Sequence, residues 1–223
     1  MSYLDFSGTF ARADLFVEAA IFTIVLSAIA TVLGMVVGVL GAAMRLSGNR
    51  FASGIAAFYV ELIRNTPFLV QIYIVYFGLP ALGIRIDALT AGILSLTVYA
   101  GAYITEIVRA GIGTIDKGQL EAARTLGLNP RQTFRYVVLV PALSAIFPAL
   151  TSQFILVMLA SSVVSVISVP ELTGIANDIQ GQTFRSLEAF LVVAAIYLAL
   201  TAAFKGIYAT IDRFAFSYRY AGR

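Results

Sequence analysis

Residues 116–141 read DKGQLEAARTLGLNPRQTFRYVVLVP, a polar stretch set between long apolar runs. Asp116 is suited to an N-cap, with Gln119 at N3 to complete a capping box. Helix-favouring residues continue to Leu126, and Gly127 supplies the left-handed position that ends a helix. Asn129, Pro130 and Gln132 then repeat the start signal as cap, N1 proline and N3 amide. The stretch therefore predicts two short capped helices joined by a tight turn. A segment that only links two membrane spans needs neither. Ala122 and Ala123 form a small-residue face that lets a partner approach closely, and Glu121, Arg124 and Arg131 surround it with charge. By pattern alone, a helix resting on lipid headgroups competes with a docking element.

The surrounding composition decides the class. Of 223 residues, 60% are hydrophobic and only 12% are charged, about half the usual ~25% charged share of a soluble domain. A water-soluble fold needs a charged surface that this chain lacks, which leaves the membrane class. There are no cysteines and no histidines. That excludes a disulfide framework, thiolate metal sites and histidine-based acid–base or triad chemistry. The net charge is +3. The basic residues lie between apolar runs, so they report membrane orientation rather than nucleic-acid binding. Residues 1–14 have mixed charge and lack a basic n-region, so no cleavable signal peptide is expected.

A spanning helix needs about 20 apolar residues. Runs at about 15–44, 66–79, 89–108, 136–166 and 189–208 predict five spans. A shorter amphipathic stretch, 51–64, is placed near the interface, and the first run is long enough to tilt or project. With the N-terminus outside, Arg45, Arg50, Arg64, Arg109, Lys117, Arg124, Arg131, Arg135, Lys205, Arg213, Arg219 and Arg223 face the cytoplasm. Only Arg12, Arg85 and Arg185 then face out, as the positive-inside rule favours. The outer polar segment 168–188 is expected to hold a short helix. The expectation is an all-α integral membrane protein, one domain over 1–223, with the 116–141 loop and the C-terminus in the cytoplasm.

The run EAARTLG resembles the EAA loop of the permease subunits of bacterial ABC importers. That family's pattern is Glu-Ala-Ala, three residues, Gly, nine residues, then Ile-x-Leu-Pro. Glu121, Ala122, Ala123, Gly127 and Leu139 match, and Val137 takes the Ile place. Val140 stands where the proline belongs, and the proline follows at Pro141. The runs YVELIRNTPFLVQ at 59–71 and YITEIVRAG at 103–111 resemble the polar amino-acid branch of these permeases, with histidine and glutamine permeases as its types. The resemblance covers about residues 20–208 and implies a type I importer fold of the methionine-permease kind in a bacterial inner membrane. It implies a dimer of ATP-binding cassette subunits that grips Glu121, Ala122, Ala123, Arg124, Gly127 and Arg131. It also implies a second permease subunit and an extracytoplasmic amino-acid-binding protein. ATP and magnesium would be held by the partner ATPase, with no cofactor or metal in this chain. A phosphate-binding loop needs Gly-Lys followed by Ser or Thr. Lys117 and Lys205 are each followed by Gly, so the chain is expected not to be an enzyme.

Glu106 and Arg109 are spaced to pair on one helix face, as a brace for the loop or as part of a gate. Gly34, Gly38 and Ala42 recur every fourth residue, a spacing for close helix packing inside the chain or across a dimer. Gln71, Tyr99, Tyr103, Gln153, Ser161, Ser162 and Ser165 are candidates for a polar substrate path, since amides and hydroxyls suit an ammonium and a carboxylate. Each alone more often bonds between helices. Relatives in the family carry Lys, then Asp or Asn, ahead of the hydroxyl pair. Here Leu159-Ala160 precede Ser161-Ser162. The missing charges favour a hetero-pair of permease subunits over a homodimer. The function expected is import of a polar amino acid or analogue by alternating access. The alternative is a secondary transporter or channel for small polar solutes, which would show inverted repeats and acids at mid-depth.

Overall fold

Residues 4–216 are described by the computed structural model. A single turn, α1 (Ser7–Phe10), precedes α2 (Ala13–Leu46), a 34-residue helix. At ~1.5 Å per residue α2 reaches ~50 Å, well beyond a ~30 Å hydrocarbon core. α3 (Arg50–Arg64) starts from an Asn49 cap whose side chain accepts from Phe51 and Ala52 N–H. α4 (Phe68–Ala81) follows at a bend of 108°, where Pro67 prevents the helix from continuing. α5 (Ala88–Gly113) is capped by Asp87. α6 (Lys117–Thr125), α7 (Pro130–Ile167), α8 (Leu172–Thr183) and α9 (Ser186–Ala215) complete the order. The described residues contain no strand.

Four helices, α2, α5, α7 and α9, are each long and apolar enough to cross a membrane, and the bent pair α3–α4 makes a fifth crossing if it is counted as one. The second expected span is therefore half of a broken element rather than a straight helix. The fourth differs more. The helix expected to start near residue 136 starts at Pro130, so the second short helix of the 116–141 stretch has no separate existence. It is the first turn of α7.

Two π-helical segments lie in this bundle, Ile74–Gly78 within α4 and Thr133–Leu139 within α7. Each ends two residues before a proline, Pro80 and Pro141. In an α-helix the carbonyls of Tyr76 and Val137 would seek the N–H of those prolines, which do not exist. A wider i→i+5 turn hands such a carbonyl to the next residue along. The proline position that departs from the family pattern thus coincides with a widened turn between the loop and the span.

The core forms where α2 and α5 cross. A methyl group on Gly34 would lie 2.7 Å from Ala100 Cβ, one on Gly38 would lie 2.5 Å from Ile104 Cγ2, and one on Gly41 would strike the Thr105 side chain. Ala30, Ala42, Leu96, Ala100 and Ile104 fill the seam at 0–1% exposure. Gly34, Gly38 and Ala42 therefore serve packing within this chain, and the tight dimer contact is not where they point. At the opposite end from residues 116–141, Leu172, Ala176 and Ile179 of α8 pack on Phe16 and Ala19 of α2 and on Ala189 and Val193 of α9. The basic residues Arg219 and Arg223 lie outside the described residues.

Candidate functional site

The loop between α5 and α7 is built as its spacing suggests, with one change of partner. The Asp116 side chain accepts from Gly118 N–H at 2.6 Å. The reciprocal capping box stands instead at Asn129, whose Oδ1 accepts from Gln132 N–H (2.9 Å) while Gln132 Oε1 accepts from Asn129 N–H (3.0 Å). Between them Gly127 takes φ +75°. Gly127 N–H donates to Arg124 O at 3.0 Å, and Leu128 N–H donates to Ala123 O at 3.1 Å. That is the Schellman closure, and it needs a residue free to adopt a left-handed backbone.

The surface this leaves is unusual for nine helical residues. Ala123, at 2% exposure, is the one buried residue of α6, which packs on the π-helical start of α7. Ala123 is therefore taken by this chain, and only Ala122 of the small-residue pair faces outward. Glu121, Arg124, Gly127 and Arg131 are exposed, and none joins an ion pair among the described residues. Leu126 closes the helix at 79% exposure. It stands beside exposed Glu121, Ala122 and Arg124 at the Gly127 turn. In the sequence alone Leu126 is marked only as a helix-favouring residue.

At the same end, Glu106 is the centre of a wider cluster than its i,i+3 spacing indicates. Arg109 holds it through Nε and Nη2 at 2.9 and 2.7 Å. Arg45, from the end of α2, reaches its other oxygen at 3.6 Å. Arg64, from the end of α3, stacks its guanidinium 5.3 Å from the Tyr103 ring centre, a favourable cation–π distance. The contacts bring the ends of α2 and α3 to α5 at the loop end, an arrangement open to a brace or a gate. A cleft of about 400 Å³ opens beside it, lined by Arg64, Tyr103, Glu106, Thr114 and Ile146 among others.

The seven candidate path residues fall in four places. Tyr99 and Tyr103 stack at 4.9 Å, and Phe68 adds a third ring 5.1 Å from Tyr99. Gln71 sits at the α3–α4 bend, where its Nε2 donates to Ile63 O (2.7 Å), Thr66 O (3.1 Å) and Thr66 Oγ1 (2.9 Å). Its donors are consumed by the broken backbone, while its buried Oε1 has no partner. Gln153 is 3% exposed inside α7, with Nε2 unpartnered. Ser161, Ser162 and Ser165 each donate back to their own helix, to Met158 O, Leu159 O and Ser162 O, all at 2.7 Å. They lie in a 3₁₀ segment, Ser161–Ile167, that ends α7. One chain does not gather these groups into a single pocket.

A buried acid ties down the far end. Glu171, at 0% exposure, caps α8 by accepting from Gly174 N–H (2.8 Å) and also accepts from the Tyr197 hydroxyl of α9 (2.7 Å). Burial pushes its pKa up, against the pull of these hydrogen bonds. Leu172 N–H donates to Thr23 Oγ1 of α2 at 3.1 Å. Asp5, Arg185 and Glu188 add an outer network, with Arg185 bridging Asp5 (3.4 Å) and Glu188 (3.0 Å).

With this geometry in place, comparisons with known proteins converge. The family model for the binding-protein-dependent transport system inner membrane component matches residues 30–216. The glutamine transport system permease protein GlnP of Escherichia coli (strain K12) is 36% identical over 211 residues, covering 94% of this chain and 96% of the relative. The nopaline transport system permease protein NocM of Agrobacterium fabrum (strain C58 / ATCC 33970) is 37% identical over 189 residues, covering 80% and 78%. Among solved structures, an amino acid ABC transporter with histidines superposes with TM-score 0.88 at 38% identity, covering 94% of this chain and 98% of that one. The inward-facing MetNI methionine ABC transporter superposes with TM-score 0.76 at 22% identity over 92% of this chain and 98% of that one, and so shares the fold.

Proposed function

Because this chain belongs to the family of binding-protein-dependent transport system inner membrane components, we propose that it is the permease subunit of an ATP-driven importer for a polar amino acid or a close analogue. It is a multi-pass inner-membrane protein and a transport subunit, not itself the ATPase. The substrate class rests on relatives whose names include glutamine and nopaline transport. The observation that carries the mechanism is α6. It is a capped helix that buries one residue in its own chain and leaves Glu121, Ala122, Arg124 and Leu126 open beside a rigid Gly127 turn. Such a surface fits the groove of a separate ATP-binding subunit, which would hold ATP and magnesium.

In this reading the single domain spans 1–223, the N-terminus faces out, and α6 faces the cytoplasm. Two ATPase subunits close on the α6 helices of two permease chains, and α6 passes the movement to α7 through the π-helical joint. The Glu106 cluster keeps α2, α3 and α5 moving as one body. Substrate delivered by an extracytoplasmic binding protein passes between the two permeases. The scattering of Gln71, Gln153 and the serine triplet supports a path completed by a second chain. The absence of charge at Leu159-Ala160 favours an unlike second chain. Co-expression with a neighbouring ATPase and permease, followed by ATP-dependent uptake in proteoliposomes, tests the proposal. Uptake driven by an ion gradient without ATP would overturn it, and so would a complex that forms without contact between α6 and the ATPase.

A further inference from the structure

Arg64 ends α3 with its guanidinium set against a ring and not against a carboxylate. It lies 5.3 Å from the Tyr103 ring centre and joins no ion pair among the described residues. Tyr103 is also the last rung of an aromatic ladder, since Phe68 packs on Tyr99 at 5.1 Å and Tyr99 on Tyr103 at 4.9 Å. The ladder runs from the α3–α4 bend to the cleft of about 400 Å³ beside Arg64. α5 and α7 touch there at Gly111, where a methyl would strike Ile146. Ala110, Ala145 and Ala149 leave the space next to that contact unfilled. Ala110 and Thr114 are exposed on the cleft wall, and Thr114 stands three residues ahead of α6.

Two charged residues line the cleft, Arg64 and Glu106. The Glu106 carboxylate is already held by Arg109 at 2.7 Å and reached by Arg45 at 3.6 Å. Glu61, one turn back on α3, adds a second acid, and its Oε2 accepts from Asn65 Nδ2 at 2.7 Å. Counted together, the three guanidiniums stand against two carboxylates. Of the three, Arg64 is the one without an ion pair, and it is the one on the cleft wall.

We propose that this cleft receives the α-carboxylate of the transported amino acid on the α6 side of the α3–α4 bend. Arg64 is its counter-charge, and the Tyr103 ring is where the guanidinium rests between substrates. A bidentate guanidinium–carboxylate pair is stronger than an exposed cation–π contact. A substrate therefore takes Arg64 from the ring without breaking an ion pair. The volume lies within the ~300–1,000 Å³ usual for small-molecule sites, and charges among spanning helices mark solute paths. Every α-amino acid carries this carboxylate, so Arg64 selects the class and not the side chain. The proposal rests on the chain being an amino-acid permease.

The chain has no cysteine of its own, so a single thiol placed in the cleft reports that cleft alone. In the assembled transporter, Ala110→Cys is labelled with an anionic or a cationic methanethiosulfonate, and the intact mass of this chain gives both rates. Their ratio cancels changes in thiol reactivity, which act on both reagents alike. Adding Arg64→Gln should lower the anionic-to-cationic ratio at least about fivefold, as removal of one nearby charge does, and Arg64→Lys should keep it. L-glutamine or L-arginine should slow labelling while Arg64 is present, and their α-amides, which lack the carboxylate, should not. The protection should be lost in Arg64→Gln. An unchanged ratio in Arg64→Gln overturns the charge assigned to the cleft. Equal protection by the amides, or none by either amino acid, overturns the carboxylate site. Equal protection by acetate overturns the assignment to an amino acid. Where Arg64→Gln does not assemble, the protection experiments with Arg64 intact decide. Wild type that lacks ATP-driven uptake would strike the transport reading instead, and leaves the labelling to decide the cleft.

Discussion

α6 and α8 start alike and end with opposite surfaces. Asp116 accepts from Gly118 N–H at 2.6 Å, and Glu171 accepts from Gly174 N–H at 2.8 Å. From those caps, α8 buries Leu172, Ala176 and Ile179 at i, i+4 and i+7, all at 0–1% exposure. α6 has no such stripe and buries Ala123 alone. A helix of nine residues is below the ~12–15 that stand unaided in water, so α6 depends on its caps, its Schellman turn and whatever covers it. α8 is held by its own chain, whereas α6 leaves Glu121, Ala122, Arg124 and Leu126 exposed, the face proposed to meet an ATPase subunit. The difference is a physical criterion for telling a structural polar helix from a docking one.

The largest effect expected from that contrast is at Leu172. Leu172→Ala removes a fully buried side chain from the packing of α8 on α2 and α9 and should cost about 2–5 kcal/mol. The melting temperature of the purified complex should fall by roughly 5–15 °C. An unchanged melting curve would show that α8 is not part of the core. On α6 the order of effects reverses. Gly127→Pro cannot keep φ +75°, and Glu121→Lys inverts a charge with no ion-pair partner among the described residues. Each should lower ATP-dependent uptake at least about tenfold, a loss of roughly 1.4 kcal/mol. Glu121→Lys should do so with a melting temperature like wild type and with ATP hydrolysis uncoupled from uptake. Normal transport in both would break the contrast.

Leu126 sharpens it further. Leu126→Ser removes no packing, since the side chain is 79% exposed. If a partner covers it, the change should weaken ATPase binding about five- to tenfold, consistent with the ~1.5 kcal/mol low end for burying a leucine. Titration of the ATPase onto permease nanodiscs measures this directly. Unchanged affinity would leave Leu126 without a role.

The caps, the Gly127 turn and the runs that became α2, α5 and α9 were legible because they rest on local spacing. Asn129 was read correctly as a cap, but the helix it opens was not. Nothing local marks the end of a helix that runs on into a span, and the π turn at Thr133–Leu139 leaves no mark in the spacing. The 108° bend at Asn65–Pro67 was readable as a boundary but not as an angle. Gln71 looked like a path residue because its carbonyl partners at Ile63 and Thr66 appear only once the bend is made. Arg45 and Arg64 joined Glu106 and Tyr103 through tertiary contacts, which a single sequence does not encode in its spacing. Glu171 was missed for the same reason, since its second partner, Tyr197, is 26 residues away on another helix.

Glu171 gives the smallest effect and the finest test of the comparison, because it asks what a buried cap costs. Its pKa is raised above the ordinary value of 4.5, burial outweighing the hydrogen bonds from Thr173, Tyr197 and Gly174 that favour the carboxylate. A raised carboxyl pKa means that the folded state prefers the protonated form. The stability this contributes is therefore present below pH 4.5 and is lost as pH rises through the folded pKa. Asp116, exposed at its cap, has no burial of this kind. Glu171→Gln keeps an acceptor for Gly174 N–H and offers the Tyr197 hydroxyl a neutral partner. Melting temperatures of wild type and Glu171→Gln, measured from about pH 5 to 8, should diverge with rising pH, with the glutamine variant the less pH-dependent of the two. A glutamine variant whose profile parallels wild type would mean that the carboxyl does not titrate in this window. Profiles that separate only below pH 4.5, with wild type losing stability as pH falls, would mean that the hydrogen bonds outweigh burial after all.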